Sequence, residues 1–176
     1  MSVQTLAVNG TPVYESAICI QLLDEMYPDK GLALLPKDPL ARAHARMWCD
    51  HVDKSIVPHV YSLLLARGDP EACKESLTKG LLAWANAFVG DGPFFAGSQP
   101  AMPDIMLAPF ALRFNSPLLK DMLGGYALPA PDDVPSKRLA EWSRAIAAHD
   151  AVQATMSDEA EVLKMYKSYK EARAGT

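Results

Sequence analysis

Along most of this chain the apolar residues recur three and four positions apart, and clusters of proline and glycine separate the helices that this spacing predicts. The amino end departs from that pattern. Val3 to Val8 reads as a short strand, Asn9-Gly10 as a turn, and Val13-Tyr14 as the start of a second strand. Glu15-Ser16 then opens a helix in which Ile18, Cys19, Leu22, Leu23 and Met26 make one apolar face, and Tyr27-Pro28 stops it. A helix beginning at Glu15-Ser16 presents a hydroxyl and free backbone N–H groups at its positive end, which suits a small carboxylate.

Five or six further helices are predicted downstream. The first runs from about Leu40 to Ala66 with a bend at Pro58, where a helical hydrogen bond is lost. Asp69, Pro70 and Glu71 start the next, which reaches Val89, and Gly90-Asp91-Gly92-Pro93 is a turn. A third begins near Met102, carries Ile105, Leu107, Ala108, Ala111 and Leu112, and contains Pro109. Pro117, Gly124, Gly125, Pro129, Pro131 and Pro135 mark a long irregular connection that reads as a lid, a pocket wall or a strap. Ser136 caps a helix through His149, and Ser157 with Asp158 caps the last, from Glu159 to about Ala172.

A length of 176 residues with 49% hydrophobic content supports one core and one compact unit. The formal charge of −4 carries no basic block against it, so nucleic acid is not an expected partner. No apolar run approaches ~18 residues and no signal peptide opens the chain, so no membrane association and a cytoplasmic location are expected. Cys19, Cys49 and Cys73 lie in apolar helical patterns without a flanking cationic cluster and read as reduced, packed thiols. Zinc-ligand spacing, a phosphate-cradling glycine loop and a Gly-x-Ser-x-Gly elbow are absent from the sequence, and no metal site is expected.

Candidate chemistry concentrates on the long first helix of the helical body. At ~100° per residue, His44, Trp48, His51 and Ser55 fall within a stripe of about 60°, beside an apolar stripe of Ala45, Cys49, Val52, Ile56 and Val60 that reads as core. Imidazoles can move protons and an indole gives a broad apolar wall, so His51 and His44 are the candidate catalytic residues, with Trp48 and Ser55 against a substrate. The same residues also read as a surface or core-edge stripe with one hydrogen bond each. His44 and His51 stand two helical turns apart, too far for shared ligation of one metal. Arg113 and Phe114 end the third helix. Arg113 reads either as a pocket residue or as a cation favoured by the helix dipole.

The Glu15-Ser16 pair followed by Ile18 and by Leu23-Asp24-Glu25-Met26-Tyr27-Pro28 resembles the glutathione transferases. Later segments agree in order: Leu34-Leu35-Pro36-Lys37-Asp38-Pro39 as an interdomain linker, Arg42 to Trp48 opening a long helix, Gly92-Pro93-Phe94-Phe95-Ala96-Gly97 before another, and Asp104 at the start of that one. Trp48-Cys49-Asp50-His51-Val52, Ile56-Val57-Pro58 and Leu107-Ala108-Pro109 give it a fungal omega-like flavour. The resemblance implies a mainly α fold, the family's C-terminal helical domain preceded by a short β-hairpin and helix. Residues 1–30 would be the remnant of the thioredoxin-like glutathione domain, 31–39 the linker and 40–176 the all-helical domain. It also implies that the His44–Trp48–His51 stripe faces the hydrophobic-substrate site, that Arg113 and Phe114 close it, and that Glu15 and Ser16 hold the γ-glutamyl end of glutathione, the one cofactor it admits. Most of the thioredoxin-like domain is missing from the pattern, and with it the family's catalytic Cys, Ser or Tyr. Val3-Gln4 stands where the family has a Val-Pro pair with a cis bond, whose energetic cost without proline is ~2.5–4 kcal/mol. Ala101 takes the place of a Ser or Thr that usually forms a capping box with the buried aspartate, so Asp104 reads as structural.

Three functions fit this sequence. The first is an enzyme acting on a hydrophobic small molecule without the usual thiol-activating residue, by isomerase, cyclase or addition chemistry. The second is a conventional glutathione transferase that holds glutathione through Glu15 and Ser16, and the third is a non-catalytic binding or dimerisation module. An unpaired strand edge near Val3 to Val8 further predicts a homodimer.

Overall fold

The computed structural model describes residues 5–174. A β-hairpin of β1 (Thr5–Val8) and β2 (Thr11–Tyr14) leads into α1 (Ser16–Met26). After a linker come α2 (Pro39–His51), α3 (Val57–Leu64), α4 (Pro70–Asn86), α5 (Met102–Phe114), α6 (Val134–Ala148), the short α7 (Asp150–Gln153) and α8 (Glu159–Ala174). Asn9 and Gly10 both have positive φ, 50° and 80°, the turn geometry that matches the twist of hairpin strands. The strands pair antiparallel, Thr5 opposite Tyr14 and Val8 opposite Thr11. The expected strand start at Val3 and the Val3-Gln4 pair lie outside the described residues.

The apolar face expected on α1 is corrected by the packing. Ile18, Leu23 and Met26 are exposed, whereas Ala17 and Ile20 pack onto a small cluster of Leu35, Ala45, Cys49 and Met102. Helix α1 is apolar on more than one side, and a two-stranded hairpin is too small to cover the face turned from the helical body. Polar ties fix the side that does dock. Asp24 Oδ1 accepts from the Leu34 N–H (3.0 Å), Arg46 Nε donates to Gln21 Oε1 (2.9 Å), and the Met102 N–H donates to the Leu34 carbonyl (2.8 Å).

The long first helix of the body does break near Pro58, but the break precedes the proline. Residues Val52–Ile56 form a π-helical turn in which the Val57 N–H donates to the Val52 carbonyl, five residues back. A proline ring clashes with the carbonyl four residues upstream, and widening the preceding turn relieves that clash. Helix α4 crosses this turn at Gly80, where an added Cβ would stand 2.6 Å from the Ser55 carbonyl oxygen. Asp69 caps α4 as expected, accepting from the Glu71 N–H (3.2 Å), and the helix ends at Asn86, three residues before Val89.

Ser136 is not the N-cap of α6. Asp133 takes that position and accepts from the Ser136 N–H (2.9 Å), while Ser136 Oγ accepts from the Asp133 N–H (3.1 Å), with Pro135 set in the first turn between them. Asp158 caps α8 through the N–H groups of Ala160 and Glu161 (2.9 and 3.1 Å).

The main core joins α3, α4, α5, α6 and α8. Trp84, Trp142, Leu77, Leu81, Leu107, Ile146 and Tyr166 are fully buried in it, and Trp84 meets Trp142 edge to face at 4.8 Å. Asp104 is the charged residue within this core. Its carboxylate accepts from the N–H groups of Ala101 (2.7 Å) and Phe95 (2.9 Å) and from Trp142 Nε1 (2.8 Å), so one side chain ties the start of α5 to the preceding loop and to α6. Because Ala101 has no acceptor side chain, only the aspartate half of a capping box exists there.

Candidate functional site

A cavity of about 530 Å³ lies between the linker, the exposed side of α5, and the segment from α7 into α8. Pro109 shapes its α5 wall. Lacking an N–H, it leaves the Ile105 carbonyl without the usual helical donor, and Ile105, Pro109 and Leu112 all face the cavity. Leu34 from the linker, Val152 from α7 and Val162 from α8 complete a mostly apolar lining of a size suited to a small organic molecule.

Polar groups in the cavity wall are few, and each is placed by a helix end. Arg113, in the last turn of α5, donates through Nη1 to the Pro109 carbonyl (2.5 Å) and lies over the rings of Phe110 (5.0 Å) and Tyr166 (5.5 Å). Its Nε is buried without a hydrogen-bond partner. Burial pushes the Tyr166 phenol upward, and the neighbouring guanidinium partly offsets that shift. His149 is the C-cap of α6; its N–H donates to the Ile146 carbonyl, its own carbonyl accepts from the Val152 N–H (2.9 Å), and its ring Nδ1 is buried without a partner. Ser116 Oγ accepts from the Leu119 N–H (3.2 Å) and donates to Glu159 Oε2 (3.0 Å), joining the irregular connection after α5 to the start of α8.

The residues proposed from the helical stripe are brought together elsewhere. The Trp48 ring lies 6.3 Å from His44, 4.8 Å from His51 and 6.3 Å from Phe95, and none of the four residues lines the cavity. Trp48 Nε1 donates to His44 Nε2 (3.2 Å), which fixes that nitrogen as an acceptor. His51 Nε2 stands 2.9 Å from the Gly80 carbonyl, which can only accept, so that nitrogen carries a proton. The side chains of His44, Trp48 and His51 do not line the α5–α8 cavity: Trp48 and His51 lie toward α4 and Phe95, and His44 stands exposed beside them. Ser55 is half-buried at the α4 crossing, and Phe114 packs on Tyr126 (5.7 Å); neither lines the cavity. Of the residues proposed for substrate, Arg113 alone does. His149 went unrecognised because its position as a helix C-cap carries no signal for a cavity.

At the amino end of α1, Glu15 and Ser16 are both exposed. Glu15 holds φ at 70°, a strained value for a residue with a side chain, and makes no side-chain cap to the helix. Among the described residues, the N–H groups of Ser16, Ala17 and Ile18 meet no acceptor. Cys49 is buried and its thiol is pushed up to about 12, chiefly by desolvation, which makes it a poor nucleophile. Among the described residues no group of acidic, histidine and cysteine side chains could hold a metal ion, and no helix is long and apolar enough to cross a membrane.

The family model for the glutathione S-transferase C-terminal domain matches residues 71–145, which run from α4 through α6. The probable glutathione S-transferase parC of Nicotiana tabacum is 29% identical over 166 residues, covering 94% of this chain and 72% of the relative. The chain belongs to the glutathione transferase family. Among solved members, the glutathione transferase Omega 3C from Trametes versicolor superposes with a TM-score of 0.76 at 29% identity, covering 96% of this chain and 70% of that one. Rice GST1, solved in complex with glutathione, gives a TM-score of 0.73 at 27% identity, covering 96% of this chain and 75% of its own. The fold of this glutathione transferase relative is thus the family's helical domain behind a β-hairpin and helix.

Proposed function

We propose that this member of the glutathione transferase family takes a hydrophobic small molecule into the cavity between α5 and α8. The observation that carries this reading is the cavity itself: about 530 Å³, lined mostly by aliphatic side chains, with a few polar groups in its wall. No cysteine or tyrosine lines it; of its hydroxyls, Ser116 is engaged with Leu119 and Glu159 and Thr155 with the Ala151 and Val152 carbonyls, while Ser157 stands exposed at the rim. Chemistry on a bound ligand would be proton transfer, as in an isomerisation, cyclisation or addition, and His149 is the imidazole in the wall able to take part.

Glutathione enters the same proposal at a separate place. Its support is the strained Glu15 and the open amino end of α1 beside Ser16, together with the glutathione complex of the rice relative. One substitution separates the two sites. Ala151→Trp places an indole on the exposed α7 rim of the cavity and should weaken binding of the uncharged fluorophore N-phenylnaphthylamine about tenfold or more. Glutathione binding, followed by calorimetry, should be unchanged in that variant and weakened by Ser16→Ala. Unaltered fluorophore affinity in Ala151→Trp would remove the cavity assignment; glutathione binding indifferent to Ser16→Ala would remove the α1 assignment.

A further inference from the structure

Of the three asparagines in the chain, Asn9 alone is followed by glycine. It stands exposed at the tip of the β1–β2 hairpin, and a Cβ built on Gly10 would meet nothing within 4 Å. Among the described residues the Gly10 N–H meets no acceptor. The other two asparagines differ on each count. Ala87, after Asn86, donates its N–H to the Trp84 carbonyl (3.1 Å), and Ser116, after Asn115, donates to the Arg113 carbonyl (3.3 Å). The Asn115 side-chain amide is itself engaged, donating to Ser143 Oγ (2.8 Å). A backbone nitrogen that attacks the side chain before it must be free of its hydrogen bond and unhindered by a β-carbon, and of the three only Gly10 is both.

We propose that Asn9 is a site of spontaneous covalent modification, its side-chain amide converted through a succinimide to aspartate and isoaspartate. In the first step the Gly10 nitrogen loses its proton to solvent and bonds to Asn9 Cγ, and Nδ2 leaves as ammonia. Water then adds to one of the two imide carbonyls and breaks that carbonyl's bond to nitrogen. Opening at the backbone carbonyl routes the chain through Cβ, as isoaspartate; opening at Cγ gives aspartate. One water is consumed, one ammonia is released, and no oxidant takes part. The positive φ of Asn9 (50°) and Gly10 (80°) belong to the closed turn, so attack waits on its opening. A hairpin of two four-residue strands opens readily. Isoaspartate lengthens the backbone by one carbon, and the turn that sets Val8 opposite Thr11 cannot close over it. Either product makes the formal charge of −4 one unit more negative.

The test incubates the whole chain in mildly alkaline buffer beside a synthetic peptide of the segment from Ala7 to Val13, and follows both by peptide mapping. A mass gain of a single dalton, with isoaspartate the larger product, should arise at Asn9 of the chain at a rate within about thirtyfold of the peptide's, before any change at Asn86 or Asn115. Hairpin amides of the isoaspartate form should then exchange with deuterium about tenfold faster than those of Asn9→Asp, which carries the same charge on an ordinary backbone. Conversion slower than that bound, or earlier at Asn86 or Asn115, would overturn the site. Equal exchange in the isoaspartate form and Asn9→Asp would overturn the loss of register.

Discussion

Asp104→Ala is expected to destabilise the fold by about 3–5 kcal/mol, read as a fall in Tm of roughly 10 °C in thermal unfolding. The substitution strips acceptors from three buried donors at once, the N–H groups of Ala101 and Phe95 and the Trp142 indole, and each unsatisfied donor costs ~1–3 kcal/mol. It also leaves a void beside Trp142, which is fully buried against Trp84. Asp104→Asn should recover part of the loss, since its carbonyl accepts but its amide faces a donor. Burial raises the Asp104 carboxyl to about 6, against the opposing pull of its three donors. Between about pH 4 and pH 6 the folded chain therefore keeps a proton that the unfolded chain has released, and stability from this group falls as pH rises through that window. That decline should vanish in Asp104→Asn. Wild-type stability of the alanine variant would show that the carboxylate does not tie α5 to α6.

Gly80→Ala is expected to cost at least about 2 kcal/mol in urea unfolding, although alanine is the better helix former by ~1 kcal/mol. An added Cβ would sit 2.6 Å from the Ser55 carbonyl oxygen and 3.2 Å from Ile56 Cγ1, and the first of these is backbone that cannot rotate away. Helix α4 must then lift from the π turn. The His51 Nε2 bond to the Gly80 carbonyl should break with it, seen as a shift of the His51 ring resonances. A variant as stable as its parent would mean that α4 does not lie this close to the turn.

Helix spacing, capping residues and the Glu15-Ser16 segment made much of this fold legible in the sequence, because each signal is local. Asp69 and Asp158 cap where their positions suggested, and Asp104 is structural. What local pattern did not carry was direction. His44, Trp48 and His51 share a stripe on α2, as their spacing predicts, yet which neighbour that stripe meets depends on the crossing at Gly80, a contact between residues far apart in the chain. The π turn escaped for a related reason. Pro58 signals a disturbance, while the choice of a wide turn upstream over a bend at the proline depends on α4 packing against it. His149 reaches the cavity only because α6 ends where α7 folds back, and a four-residue helix leaves no periodicity to read.

The most direct test is a crystal structure of the chain with N-phenylnaphthylamine bound. The cavity assignment predicts its rings between Leu112 of α5 and Val162 of α8. A fluorophore seated instead against Trp48 and His51, with the α5–α8 cavity empty, would contradict it.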